Sequence, residues 1–160
     1  MIAESTIEQV LEQFESQAVD FEKAVRDFGG RQPALLSFLM TDSEGVFTED
    51  EQDFMLYLAT VIFKAVEKEN PDLSIITPDE IAEAEETNWE LFEAQKGKPF
   101  RERLDAFFEN YPQEDLLAFV EDALSAEAED EDGESFTMTQ EGQEPMFVTL
   151  KTVIDVLTAG

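Results

Sequence analysis

Residues 5–30 read STIEQVLEQFESQAVDFEKAVRDFGG, and their spacing decides the fold class. Ile7, Leu11, Phe14, Ala18, Phe21, Val25 and Phe28 follow one another at alternating steps of four and three. A helix repeats about every 3.6 residues, so this pattern lays one apolar stripe along one helical face. A half-buried strand would need alternation at every second residue, and none is present. STIE has the form of a capping box, with Ser5 as N-cap and Glu8 three residues on. Gly29 and Gly30 supply the left-handed conformation that ends helices. The stretch predicts a single long helix from its cap to the two glycines.

The neighbouring segments repeat the pattern. Pro33 suits the first turn of a short helix with Leu35, Leu36 and Leu39 on one face. Thr48 and Glu51 give a second capping box, ahead of a helix carrying Phe54, Met55, Leu58, Val61, Ile62, Ala65 and Val66 that Asn70-Pro71 stops. LSII, residues 73–76, reads as an extended connection. Thr77-Pro78-Asp79-Glu80 opens a helix with Ile81, Trp89 and Phe92, closed by Gly97; Pro99 opens one with Leu104, Phe107 and Phe108. Beyond Pro112, a helix carries Leu116, Leu117, Phe119, Val120 and Leu124, and Pro145 precedes a final one with Met146, Phe147, Leu150, Val153, Ile154 and Leu157. The expected fold is all-α: a compact multi-helix bundle forming a single domain over residues 1–160.

The two halves of the chain match in order. IAES at 2–5 meets IAEA at 81–84, FESQ at 14–17 meets FEAQ at 92–95, QPALLSFL at 32–39 meets QEDLLAFV at 113–120, and LATVI at 58–62 meets LKTVI at 150–154. Register shifts fall near Gly97, before Pro112 and in the acidic stretch, where loops tolerate insertion. An internal duplication is expected, with repeat halves 1–70 and 80–160, connection 71–79 and a pseudo-twofold arrangement that buries the two sets of stripes together.

Composition narrows the chemistry. Ten basic residues against thirty-nine acids give a net charge of −29, and the chain has no cysteine and no histidine. Such a surface repels nucleic acid phosphates and anionic lipid heads and attracts basic proteins and cations. Disulfides, thiolate nucleophiles, the usual zinc sites and the commonest proton carrier near neutral pH are excluded. The apolar segments FMLYLATVIF and MFVTLKTVIDVL are short for a membrane span, and no signal peptide is read, so a cytoplasmic protein is expected.

Candidate sites are few. The acidic connections MTDSEGVFTEDE, residues 40–51, and LSAEAEDEDGESF, residues 124–136, each contain an acid-x-acid-Gly core, which resembles an EF-hand calcium loop. The resemblance makes Asp42, Glu44 and Glu51 in the first connection, and Asp130 and Asp132 in the second, candidate cation ligands. It departs at the first ligand position, which falls on Met40 and Ala128, so weak Ca2+ binding is all the pattern implies. Otherwise these acids serve helix starts and a hydrated linker. Lys96, Lys98, Arg101 and Arg103 concentrate four of the ten basic residues beside Pro99. They form a candidate anion site at a helix start, or a counter-charge for nearby acids. Tyr57, Trp89 and Tyr111 are candidate interface residues, or edge-of-core residues with a polar handle. With so many acids, no carboxylate pair stands out as catalytic, and no cofactor is implied.

The composition favours a non-enzymatic acidic binding module that engages a basic protein partner, as an adaptor or as an inhibitor of the immunity type. Two alternatives belong to other classes: a cation-responsive helical protein acting through its acidic connections, and an enzyme with a carboxylate-lined pocket between the halves.

Overall fold

A computed structural model describes residues 2–16, 20–41, 47, 49–95, 97, 100–109, 111–125, 128–129, 135–136 and 140–158. Side chains are described for these except at 41, 100, 101, 103, 125, 128–129, 135–136 and 140–143. Eight helices account for most of the described residues: α1 (Glu4–Glu15), α2 (Phe21–Arg31), α3 (Pro33–Thr41), α4 (Glu49–Glu69), α5 (Pro78–Ala94), α6 (Phe100–Phe108), α7 (Glu114–Ser125) and α8 (Gln140–Thr158). The all-α class expected from the periodicity is correct. No helix among the described residues is long and apolar enough to cross a membrane.

Helices α4 and α8 pack on each other at the centre. They contribute Leu58, Val61, Ile62 and Ala65 on one side and Leu150, Val153, Ile154 and Leu157 on the other, all buried. Helix α1 lies against α4, and α5 against α8; α2 packs on α3 and α4, α6 on α5, and α7 on α8. The first four helices also meet the last four where α3 packs on α5 and α7 on α1.

The long first helix expected from residues 5–30 is in fact two. The apolar stripe stays in phase across the break, which hides it. Asp20 starts α2 by accepting the Glu22 N–H at 3.0 Å. In a continuous helix, positions 14 and 21 would stand about 10 Å apart along the axis. The break instead brings the Phe14 and Phe21 rings to 5.8 Å, and both pack on Tyr57 of α4, at 6.1 and 5.7 Å.

Three helix boundaries also differ. Helix α1 begins at Glu4 behind Ala3, with no side-chain cap, so the Ser5–Glu8 box does not form. The amides at and just ahead of its start are taken up around the start of α7 instead: Ile2 N–H donates to Gln113 Oε1 at 2.9 Å, and Glu4 N–H to Asp115 Oδ2 at 3.1 Å. Gly29 and Gly30 lie inside α2, which runs on to Arg31. There Gly29 provides close approach: a Cβ on it would stand 2.7 Å from Leu36 Cδ2 of α3. Gly97 keeps the expected role past the end of α5, with φ of 96°. Helix α8 begins at Gln140, so Pro145 sits inside it and removes one backbone hydrogen bond. Thr48, the other expected cap, lies outside the described residues; α4 begins just after it.

The second acidic connection contains a small antiparallel pair, β1 (Ala128–Glu129) with β2 (Ser135–Phe136), in which Ala128 faces Phe136 and Glu129 faces Ser135. The intervening acids lie outside the described residues.

Candidate functional site

The outer face of α5 is a column of acid. Thr77 and Glu80 close a capping box at its start, by bonds of 3.2 and 3.4 Å, and Pro78 fills the first turn. From there Asp79, Glu83, Glu86, Glu90 and Glu93 recur at steps of four and three, and all are exposed. Helix α1 carries the same feature in Glu4, Glu8, Glu12 and Glu15, also exposed. Like charges at this spacing destabilise a helix by about 0.2–0.5 kcal/mol per pair. The columns persist because the opposite faces of both helices are buried against α4 and α8.

Three of the described cations, Arg31, Lys64 and Lys151, are held by internal partners. Lys64 Nζ bonds Asp27 at 2.7 Å and lies 3.4 Å from Glu67, while Arg31 lies 3.4 Å from Asp27 and 3.1 Å from Glu67. The hydrogen bond from Lys64 holds the Asp27 carboxyl below its usual range. Glu67 Oε2 meets Arg31 as an ion pair without hydrogen-bond geometry.

Lys151 is only 6% exposed. Its ammonium donates to Asn88 Oδ1 at 2.8 Å and Asp155 Oδ2 at 2.9 Å, and stands 4.6 Å from the centre of the Tyr111 ring. Asn88 donates in turn to Thr152 Oγ1 and Asp155 Oδ2, at 3.1 and 3.0 Å, and Tyr111 OH donates to Asp155 Oδ1. Burial first, and then the Asp155 charge, push the Tyr111 phenol far above its ordinary range. Every polar atom at the centre of this cluster is engaged, which suits a structural tie between α5 and α8 better than a reacting group.

One groove opens beside the acidic column. Between α3 and the start of α5 lies a cavity of about 270 Å³, whose apolar lining includes Ala34, Phe38, Pro78, Ile81 and Ala82. A second, of about 220 Å³, lies beside the Arg31–Glu67 pair over Phe63, Leu73 and the exposed Ile75.

The expected site residues fall in different places. Tyr57 is half-buried in the aromatic trio, where burial and then Glu15 raise its pKa. Trp89 packs edge-on to Phe92 at 6.2 Å, half-buried on α5, and Tyr111 belongs to the Lys151 cluster. Glu51 is buried in the first turn of α4, on the face shared with Met55 and Leu58. Asp42, Glu44, Asp130, Asp132, Lys96 and Lys98 lie outside the described residues, and Arg101 and Arg103 are described by their backbone in α6. Among the described residues no group of three or more acids could hold a metal ion.

The groove and the Lys151 cluster did not emerge from the sequence reading. Lys151 and Asp155 stand four apart, a spacing that pairs charges on a helix, but Asn88 and Tyr111 are distant in sequence. No known family model, curated protein or solved structure matches this chain.

Proposed function

We propose that this chain is a non-enzymatic, acidic helical module that binds a basic protein, as an adaptor or an inhibitor of the immunity type, and that it is built from two copies of one four-helix unit. The observation that carries the binding reading is the exposed acid column on α5, matched on α1, while Arg31, Lys64 and Lys151 are occupied by internal partners. A surface of one sign steers a basic partner, raising association from a neutral range of about 10⁵–10⁶ M⁻¹s⁻¹ toward about 10⁸–10⁹ M⁻¹s⁻¹ at low salt.

Four features support duplication across residues 1–70 and 80–160, joined by 71–79. Helix α1 packs on α4 as α5 packs on α8, with α4 against α8 at the centre. Gln32 and Gln113, paired in the sequence match, each accept a backbone N–H just ahead of a helix, from Ile76 and Ile2 at 2.9 Å, although the match sets Ile2 against Ile81, five residues beyond Ile76. Thr60 and Thr152, also paired, are fully buried and bond the carbonyl one turn back, at 2.7 and 2.8 Å. Glu4, Glu8, Glu12 and Glu15 align with Glu83, Glu86, Glu90 and Glu93 in the register of the IAES and FESQ matches. Duplication thus places an acid column in each half.

The binding test is capture from native lysate at low and at high ionic strength, with captured proteins identified by mass spectrometry. A basic protein that is enriched at low salt, and lost when Glu83, Glu86 and Glu90 are all replaced by lysine, is the expected result. No partner at low salt, or one whose capture survives both salt and charge reversal, overturns the reading.

A further inference from the structure

Besides the central packing of α4 on α8, two junctions join the first four helices to the last four, and their contacts differ. At the α1/α7 junction, Gln113 accepts the Ile2 N–H and, two residues on, Asp115 accepts the Glu4 N–H at 3.1 Å. At the α5/α3 junction, Gln32 accepts the Ile76 N–H at 2.9 Å and also donates to Ser74 O at 2.9 Å. Two residues past Gln32 stands Ala34, which has no acceptor; two past Ile76 stands Pro78, which has no N–H. Acceptor and donor are thus both missing, and the residues in their places line the cavity of about 270 Å³. At this junction a cavity stands where the other has a hydrogen bond, lined by Ser37 and Glu85 and by an apolar part that includes Phe38, Ile81 and Ala82.

The charge beside the opening has one sign. Ala82 lies three residues after Asp79 and four before Glu86, which puts all three on one face of α5, and Glu83 adjoins it; all four are exposed. The α5 amides do not invite an anion, because Thr77 and Glu80 already cap them. The cavity beside Arg31 lacks this asymmetry, since Asp27, Glu67, Lys64 and Arg31 neutralise one another there.

We infer that the α3/α5 groove is the docking site for a basic segment of the partner: one apolar side chain seats against Phe38 and Ile81, while flanking lysines or arginines pair with Asp79, Glu83 and Glu86. This rests on the reading of the chain as a binder of basic proteins and names where, and by what, the partner is held. The acids recruit any cationic chain, and the groove selects one that presents an apolar side chain between its charges.

The test uses two labelled oligolysine peptides, one with a central leucine and one with serine in its place, titrated against the full chain at low ionic strength. The leucine peptide is expected to bind about tenfold more tightly, the affinity of one seated aliphatic side chain. Ala82→Trp on the exposed face of α5 and Ala34→Leu on α3 fill the groove from opposite sides. Each is expected to erase the leucine preference and to leave serine-peptide affinity unchanged. Equal affinity of both peptides for the wild type overturns the groove and leaves the acidic-surface reading standing. A leucine preference that survives both substitutions also overturns the groove. Failure of both peptides to bind overturns the underlying reading, and the docking site with it.

Discussion

Lys151 and Asp155, one turn apart on α8, form a 2.9 Å ion pair whose lysine is almost wholly shielded from water. The pair is held from three directions, by Asn88 of α5, by the Tyr111 hydroxyl and by the Tyr111 ring. Removing one member of a buried pair leaves the other charge uncompensated, at about 3–5 kcal/mol. Asp155→Ala is therefore expected to lower the unfolding free energy by about 3 kcal/mol. Lys151→Met combined with Asp155→Asn, which leaves no charge behind, is expected to recover most of it. Urea denaturation checks both, with an unchanged slope showing that stability alone has moved.

Tyrosine ionisation should track unfolding. Both tyrosines are raised by burial, Tyr57 with help from Glu15 and Tyr111 with help from Asp155. A phenol whose folded pKa exceeds its unfolded value contributes stability that is complete below about pH 10 and is lost as pH rises above it. Tyrosinate absorbance is expected to appear together with loss of helical circular dichroism, rather than as an earlier step. In Tyr111→Phe the alkaline decline should be shallower.

The acid limb depends in part on Asp27. Its carboxyl is lowered by the Lys64 hydrogen bond, so its contribution is present above the unfolded pKa and is lost as pH falls through the folded value. Asp27→Asn is expected to flatten stability against pH below about 4, where carboxylates protonate. Urea midpoints across that range provide the measurement. Because the side chain is 38% exposed, solvent screening makes the change modest.

Neighbouring glycines in α2 should respond differently to alanine. Nothing lies within 4 Å of a Cβ on Gly30, whereas one on Gly29 meets Leu36 Cδ2 at 2.7 Å. Gly30→Ala is expected to stabilise by about 0.5–1 kcal/mol, the ordinary helical gain. Gly29→Ala should gain less, because Leu36 must move aside. Thermal unfolding of the two variants gives the comparison.

The junction glutamines offer a paired test of the two halves. Gln32 is 1% exposed and makes two bonds, to Ile76 N–H and Ser74 O, while Gln113 is half-buried and bonds Ile2 N–H. Gln32→Ala is expected to cost about 2 kcal/mol and Gln113→Ala about 1 kcal/mol, since an unpaired buried group carries its full desolvation cost. Equal losses, read from chemical denaturation, would contradict the burial difference.

Helical periodicity made the class of fold legible, because stripes such as Leu58, Val61, Ile62 and Ala65 are what a buried helix requires. The break at Asp20 was not legible from periodicity, since Phe14 and Phe21 stay in phase on either side of it. The better clue was local: an N-capping residue directly ahead of a periodic one. Gly29 and Pro145 look like punctuation in the sequence, yet one serves packing against Leu36 and the other sits within α8. Acidic columns can be counted from the sequence, whereas the groove depends on Ala34 meeting Pro78 across a tertiary junction. No periodicity of one segment could reveal that meeting.

The bonds from Ile2 to Gln113 and from Glu4 to Asp115 also bear on biosynthesis. A nascent chain cannot close these two bonds until the seventh helix has left the ribosome. Until then, the start of α1 is held by α4 alone and its leading amides stay open to water.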